Sequence, residues 1–290
     1  MRILITGAFG NVGKGIAPRL IAAGHDVVLT DLQAPDGVDQ PFVAVDLRTG
    51  EGLNQAAEGC DLILHCAAWH GIHWNQKTEI DYWQLNIDGT FWALQAAQAN
   101  GIKRVVFLSS QAWHGHYDKY GFTKRIGEEL CEYNRRHNGI GYVATRPLDF
   151  TPWGNDWVNR YGARLLYGGV DREDVMHSIE ASIATLANWT EGEAPGIAID
   201  AVRPNAFMEA QIADWEADPR AACEAIFPGY LDLIDRYGIS IARKPGLIQQ
   251  LGWSEVGYQP KHHFGAFLEE LRLADANEGE AAVRARVCPY

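Results

Sequence analysis

The stretch "RILITGAFGNVGKG" constrains the fold of this chain more than any other. Arg2–Thr6 is a short β-type run. Gly7, Gly10 and Gly13 follow it at three-residue intervals. The next segment, "VGKGIAPRLIAAG", repeats Val12, Ile16, Leu20 and Ile21 at helical spacing and stops at Gly24. A strand, a glycine turn and a helix in direct succession bring a helix N-terminus close to a strand end. Backbone without β-carbons can approach a pyrophosphate there, and the helix dipole favours the negative charge. The spacing is G-x-x-G-x-x-G, not the commoner G-x-G-x-x-G, so the turn alone is a weak sign and its context carries the reading.

The context is a series of further strands: "DVVLTD" (Asp26–Asp31), "FVAVDL" (Phe42–Leu47), "DLILHCAA" (Asp61–Ala68), "RVVFLSS" (Arg104–Ser110) and "GYVATRP" (Gly141–Pro147). Helical patterns cover about 79–100 and 120–137. Strands rich in Val, Ile and Leu on both faces, alternating with helices, predict a parallel sheet covered on both sides. Right-handed crossovers make this a doubly wound α/β fold of the Rossmann kind. Beyond Pro147 the pattern is a helix over Asp171–Trp189, a strand over Gly196–Ala201 and short helices. The expected organisation is a dinucleotide-binding domain over 1–150 and a smaller, mostly helical substrate lobe over 151–290, interleaved with the first near 171–201. The final "ADANEGEAAVRARVCPY" reads as a loosely held tail.

Charge and composition exclude other classes. The net charge is -12 and no Lys/Arg cluster stands out, which argues against a nucleic-acid partner. No run approaches the ~20 apolar residues of a membrane span, and "MRILITGAFG" does not read as a secretory leader. The five cysteines, Cys60, Cys66, Cys131, Cys223 and Cys288, are odd in number and scattered, which fits reduced thiols in the cytoplasm and no metal site.

Asp31 closes the second strand, where a carboxylate can accept both hydroxyls of an adenine ribose. It would repel a 2′-phosphate by about 4 kcal/mol at ~4 Å and an effective dielectric near 20. The next arginine is Arg48. The expected cofactor is therefore NAD, not NADP. Asp46, after the third strand, can accept from the adenine amino group.

With "TGAFGNVGKG" and Asp31 stand "DL" at Asp46–Leu47, "HCAA" at His65–Ala68, "NIDGT" at Asn86–Thr90, "LSS" at Leu108–Ser110, "YGFTK" at Tyr120–Lys124 and "RP" at Arg146–Pro147. In this order, over the first half of the chain, they resemble the extended short-chain dehydrogenase/reductase family of NAD-dependent epimerase/dehydratase type. "LGW" at Leu251–Trp253 and "PKHHFGAFLEEL" resemble the family's C-terminal end less securely. The resemblance implies that Gly7, Gly10, Asn11, Val12 and Gly13 hold the cofactor diphosphate. It implies that Cys66 and Ala67 line its ribose, and Asp31, Asp46, Leu47 and Ala68 complete the set of residues expected at the cofactor. Asn86 would join a hydrogen-bond network near the lysine. The two long helices flanking the fifth strand resemble the family's four-helix homodimer interface.

Hydride transfer from an alcohol needs a base for the hydroxyl proton. A tyrosine needs its pKa lowered by roughly 3 units to serve at neutral pH, and a cation one helical turn away contributes to that shift. Tyr120 has Lys124 at i+4, whereas Tyr117 has Gly121 there. Tyr120 and Lys124 are thus the expected base and its cation. Ser110 is expected to polarise the substrate oxygen, with Ser109 on the other side of the strand. The interval from Ser110 to Tyr120 is short for the family, and His114 or His116 could share the serine's role.

Trp69, Trp74, Trp113, Trp153 and Trp157, with His70 and His114, offer flat faces and polar edges suited to a sugar ring. Nucleotide-sugar enzymes of the family usually carry a long insertion after the "RP" strand, and here Pro147 and Arg172 lie close together. Asp149 stands where they often have asparagine and is a poor companion for a diphosphate. This short form resembles the uronate dehydrogenase-like members, with Arg160 and Arg164 as candidates for a substrate carboxylate. The leading expectation is an NAD-dependent oxidoreductase of a small sugar, sugar acid or polyol. A nucleotide-sugar epimerase or dehydratase is the alternative, and a non-catalytic NAD-binding regulator the third.

Overall fold

A seven-stranded parallel sheet in the order β3-β2-β1-β4-β5-β6-β7 organises the chain. The strands are β1 (Arg2–Thr6), β2 (Asp26–Asp31), β3 (Phe42–Ala44), β4 (Leu62–His65), β5 (Arg104–Leu108), β6 (Gly141–Pro147) and β7 (Gly196–Ala201). The computed structural model describes residues 1–115, 117–150, 156–190 and 192–288. The doubly wound arrangement expected from the strand pattern is present. β1 pairs with β2 on one side and β4 on the other, in the registers Thr6↔Thr30 and Thr6↔His65. The strand order therefore switches direction between β1 and β4, where such sheets open a crevice at their C-terminal ends.

The chain divides into two compact units. The first comprises 1–146, 178–199 and 252–258. One of its cores joins Leu4, Val28, Ile63, Val105, Phe107 and Ala144 from the strands to Ala93, Leu94 and Ala97 from the Gly89–Ala99 helix. The second comprises 147–177, 200–251 and 259–290. It is mostly helical, built on Trp157, Trp215, Phe264, Phe267, Leu268 and Leu271. Fully buried Trp215 donates its indole N–H to Ile241 O at 2.7 Å.

Several local expectations change. The fourth strand runs only over Leu62–His65, not to Ala68, and the fifth ends at Leu108, not Ser110, so Cys66–Ala68 and Ser109–Ser110 lie just past the strand ends. The third strand ends at Ala44, not Leu47, because the Asp46 carbonyl turns the chain by accepting from Thr49 and Gly50 N–H at 3.1 and 2.8 Å. Only an isolated bridge to Glu51 remains there. The helix expected over 79–100 is interrupted by a π-helical turn, Trp83–Asp88, between the α-helical pieces Glu79–Tyr82 and Gly89–Ala99. The expected loose tail is anchored instead: Val283 and Cys288 are buried in the core of the second unit.

Candidate active site

The glycine turn makes its own case for a dinucleotide. Gly7 has φ +65°, and a Cβ there would lie 2.7 Å from Ala67 Cα at the end of β4. A Cβ on Gly13 would lie 2.4 Å from Ala8 O, so the Asn11–Ala22 helix can start against the turn only with glycine at that position. Gly10 caps the helix with no side-chain hydrogen bond, and no acidic residue stands in the first turn. A cradle of this shape, its helix dipole uncontested by local carboxylates, fits a diphosphate. Asp31 reaches back to it: Oδ2 accepts from Phe9 N–H at 3.1 Å and Oδ1 from Leu32 N–H at 2.8 Å. The carboxylate thus fixes the turn and stands at the strand end expected to meet a ribose.

Asp46 and Leu47, also expected at the cofactor, are engaged elsewhere. Asp46 is chelated by Arg48, with Nε to Oδ1 at 2.9 Å and Nη2 to Oδ2 at 2.6 Å, which holds its carboxyl below the usual range. Its oxygens are already engaged, so an adenine amino group would compete with a guanidinium. Leu47 packs into the core of the first unit. Cys66, Ala67 and Ala68 continue from β4. Cys66 N–H donates to Thr6 O at 3.2 Å, and burial pushes its thiol up to about 12, leaving it neutral.

The Lys119–Asn138 helix carries the tyrosine and lysine. Asp118 caps it, its Oδ1 accepting from Tyr120 N–H at 2.9 Å and Gly121 N–H at 2.6 Å, and Gly139 ends it at φ +63°. Lys124 is 3% exposed, and Nζ donates to Leu108 O at 2.6 Å. Nζ stands 6.0 Å from the Tyr120 ring centre. Burial lowers its pKa to about 8, so it still carries its proton at neutral pH. The two serines diverge. Ser110 Oγ accepts from Ala112 N–H at 3.1 Å, whereas Ser109 Oγ donates to Glu128 Oε1 at 2.5 Å. Glu128 is also gripped by Arg146, through Nε at 2.8 Å and Nη2 at 2.5 Å. Ser109 therefore belongs to a buried polar cluster that ties β5 and β6 to the helix. Tyr117 is 79% exposed and its hydroxyl accepts from Arg125 at 2.6 Å.

Asn86 sits in the π-turn, 2% exposed. Its Oδ1 accepts from Trp69 N–H at 2.8 Å, and its Nδ2 donates to Trp69 O at 2.9 Å and Thr123 Oγ1 at 2.9 Å. It clamps the loop after β4 onto the helix one residue before Lys124, while the lysine itself is held by Leu108. A buried relay leads to it from Thr6 at the end of β1. Thr6 Oγ1 lies 2.8 Å from His65 Nδ1, His65 Nε2 lies 3.1 Å from Thr90 Oγ1, and Thr90 donates to Asn86 O at 2.6 Å. Burial pushes His65 down to about 3, so it acts as a neutral link.

The loop after β4 brings Trp69, His70 and His73 together. Trp69 and His73 meet edge-on at 4.9 Å, His70 and His73 at 5.0 Å, and the His70 ring stands 6.2 Å from that of Tyr120. Burial lowers His70 to about 4. Exposed His114 has Nε2 3.5 Å from Arg146 Nη1. In the second unit, Arg164 is ion-paired with Asp149, so neither offers an unengaged charge. Arg160 is exposed on the Trp157–Gly162 turn, where Trp157 is part of the core. His116, Trp153 and the side chain of Trp113 lie outside the described residues. Among the described residues no group of His, Cys, Asp and Glu could hold a metal ion.

Sequence reasoning missed Lys119, His73, Thr123 and the Ser109–Glu128–Arg146 cluster. Glu128, four residues after Lys124, had a helical signal, and His73 meets neighbours three and four residues before it; Lys119 and Thr123 act on partners distant in sequence.

The chain is 34% identical over 187 residues to an uncharacterised protein of Mycobacterium tuberculosis, a match covering 62% of this chain and 19% of that protein. It thus spans about a fifth of that relative's length. It is 28% identical over 202 residues to a uronate dehydrogenase of Pseudomonas syringae pv. tomato, covering 63% of this chain and 70% of that protein. In structure it is similar to a uronate dehydrogenase mutant of Agrobacterium tumefaciens complexed with NAD. The TM-score is 0.64 at 22% identity, covering 94% of this chain and 89% of that one, a likeness of fold. Residues 3–154, more than half of the chain, match the NAD dependent epimerase/dehydratase family, and the chain belongs to that family, whose cofactor is NAD.

Proposed function

We propose that the chain is an NAD-dependent dehydrogenase of a free sugar, sugar acid or related polyol. The observation that carries this reading is the buried Lys124 ammonium, charged at neutral pH and one helical turn from Tyr120. A residue that only bound the helix to the sheet would not need a charge held at such desolvation cost. Gly7, Gly10, Asn11, Val12 and Gly13 hold the diphosphate, Asp31 the adenine ribose, and Cys66, Ala67 and Ala68 line the crevice. When bound, NAD supplies the hydride acceptor. Tyr120 takes the substrate's hydroxyl proton at its phenolic oxygen, and Lys124 stabilises the phenolate that precedes this step. Ser110 holds the reacting oxygen through its hydroxyl. Asn86 keeps the Trp69 loop and the Tyr120 helix in register.

The relation to a uronate dehydrogenase supports the substrate class, and the short link between Pro147 and Arg172 supports a site without a nucleotide subsite. The Arg164–Asp149 pair engages one of the two carboxylate candidates. The chain acts in the cytoplasm as a homodimer. Exposed Phe91, Trp92, Phe122 and Tyr133, on the Gly89–Ala99 and Lys119–Asn138 helices, supply apolar surface for self-association. Among the described residues no helix is long and apolar enough to cross a membrane.

The test is to offer purified protein NAD with D-glucuronate, L-arabinose and a wider panel of free sugars, following reduced nicotinamide. Net NADH with at least one of them is expected. Conversion of a UDP- or dTDP-sugar without net NADH, together with inertness to every free sugar, would establish the epimerase or dehydratase reading instead.

A further inference from the structure

Lys119 precedes the tyrosine by one residue, and its side chain has left the helix. Nζ donates to Trp74 O at 2.8 Å and to Lys77 O at 2.6 Å. The same ammonium lies 4.7 Å from the Trp74 ring centre and 5.2 Å from that of Tyr82. Both carbonyls belong to the loop that begins at Trp69 and ends at Thr78, the cap of the Glu79–Tyr82 helix. Other hydrogen bonds hold the loop at its two ends: the Asn86 amide on Trp69 and the Tyr82 hydroxyl donating to His70 O at 2.8 Å at its start, and Asp81 Oδ2 accepting from Thr78 N–H at 2.7 Å at its end. Lys119 grips the stretch between, at Trp74 and Lys77.

The loop presents chosen chemistry toward Tyr120. His73 Nδ1 accepts from His70 N–H at 3.2 Å, and His70 Nδ1 lies 3.5 Å from Ile72 N–H. With Nδ1 facing backbone donors, each neutral imidazole keeps its proton on Nε2. Burial disfavours the charged form of both rings. The charged and titratable neighbours are Lys77, 4.2 Å over the Trp69 ring, Lys119 on the loop carbonyls, Asp118 at the helix cap and buried Lys124; the nearby cations also oppose protonation. Two neutral N–H donors beside an indole suit the ring oxygen and hydroxyls of a saturated polyol.

We propose that Lys119 is a positioning residue that locks the Trp69–Thr78 loop onto the start of the Tyr120 helix, so that His70 contacts the substrate beside the reacting tyrosine. The contact role rests on the dehydrogenase reading above; the lock does not. Because Lys119 and Tyr120 are adjacent in sequence, the base and the substrate-facing loop share one anchor, and displacement of one is felt by the other.

The experiment compares wild type, Lys119→Met and Lys119→Arg by hydrogen exchange and by steady-state kinetics on whichever panel sugar the wild type oxidises. In Lys119→Met, amides of residues 70–78 should exchange about tenfold faster or more, as expected when charge-assisted hydrogen bonds are lost. Those of β1, β4 and β5 should not change. KM for the sugar should rise at least fivefold, with kcat falling less and NAD affinity unchanged. Lys119→Arg, which retains donors and charge, should restore loop protection and most of the KM. Unchanged exchange of the loop in Lys119→Met overturns the proposal, as does loosening across the whole unit that Lys119→Arg does not reverse. If no free sugar is oxidised by wild type, the dehydrogenase reading fails while the exchange arm still decides the lock.

Discussion

Replacing Lys124 by methionine separates what the buried ammonium costs the fold from what it does in the reaction. An unfolded lysine titrates near 10.5 and the folded one near 8. At about 1.4 kcal/mol per unit, holding the charge costs the folded protein about 3 kcal/mol at neutral pH. Methionine removes that cost but leaves Leu108 O without its donor, a loss of about 1–3 kcal/mol. Lys124→Met should therefore be no less stable than wild type at pH 7, although it removes a buried hydrogen bond, and it should be inactive. The pH dependence is the sharper test. Between pH 8 and 10.5 the unfolded lysine keeps its proton while the folded one has lost it. The unfolded state then binds more protons, and stability rises with pH. From pH 7 to 9 the wild type should gain about 1 kcal/mol relative to Lys124→Met, with every other titration cancelling in the comparison. Urea unfolding of both proteins without cofactor at the two pH values measures this difference. Parallel stabilities, or a wild type that weakens relative to the variant as pH rises, would refute the argument that burial governs this lysine.

Tyr120→Phe should lower kcat by about a hundredfold or more while calorimetric NAD affinity stays within about twofold; Tyr117→Phe should keep most activity, and the reverse pattern would show that the wrong tyrosine was chosen. Asp31→Ala should narrow the preference for NAD over NADP in calorimetry. It should also weaken both, because Phe9 and Leu32 N–H lose their acceptor; tighter binding of NADP by the wild type would contradict the repulsion argument. Gly13→Ala places a Cβ 2.4 Å from Ala8 O, where only backbone can yield. NAD affinity should fall at least about tenfold with a lower Tm, in keeping with the cost of overpacking, and an unchanged affinity would show that the turn is looser than its geometry.

The sheet was legible because its signals are local. β1, β2 and β6 coincide with their apolar runs, and the glycines of the first turn announce a close approach that Ala67 and Ala8 then supply. "FVAVDL" misled because Val45 and Leu47 are buried, as strand residues would be, but in a turn over the core. Asp46 was read by position, and its capture by Arg48 two residues later depends on a turn that no periodicity reports. The Tyr120–Lys124 pair could be read because i+4 is fixed within one helix. Lys119 could not, since its partners are carbonyls 45 and 42 residues away.

The π-turn at Trp83–Asp88 acts as a phase shifter. Widening the helix for six residues admits one residue more than α-helical winding would, which rotates the downstream helix by about 100° relative to the upstream piece. A continuous α-helix has one inward stripe and would have to choose between its customers. Here Tyr82, before the shift, serves the loop, while Ala93 and Leu94, after it, serve the sheet, and Asn86 sits inside the shift itself. The segment from Glu79 to Ala99 is thus two differently oriented faces carried on a single rod, and the extra residue lets the loop over the tyrosine be remodelled without unseating the helix from the sheet.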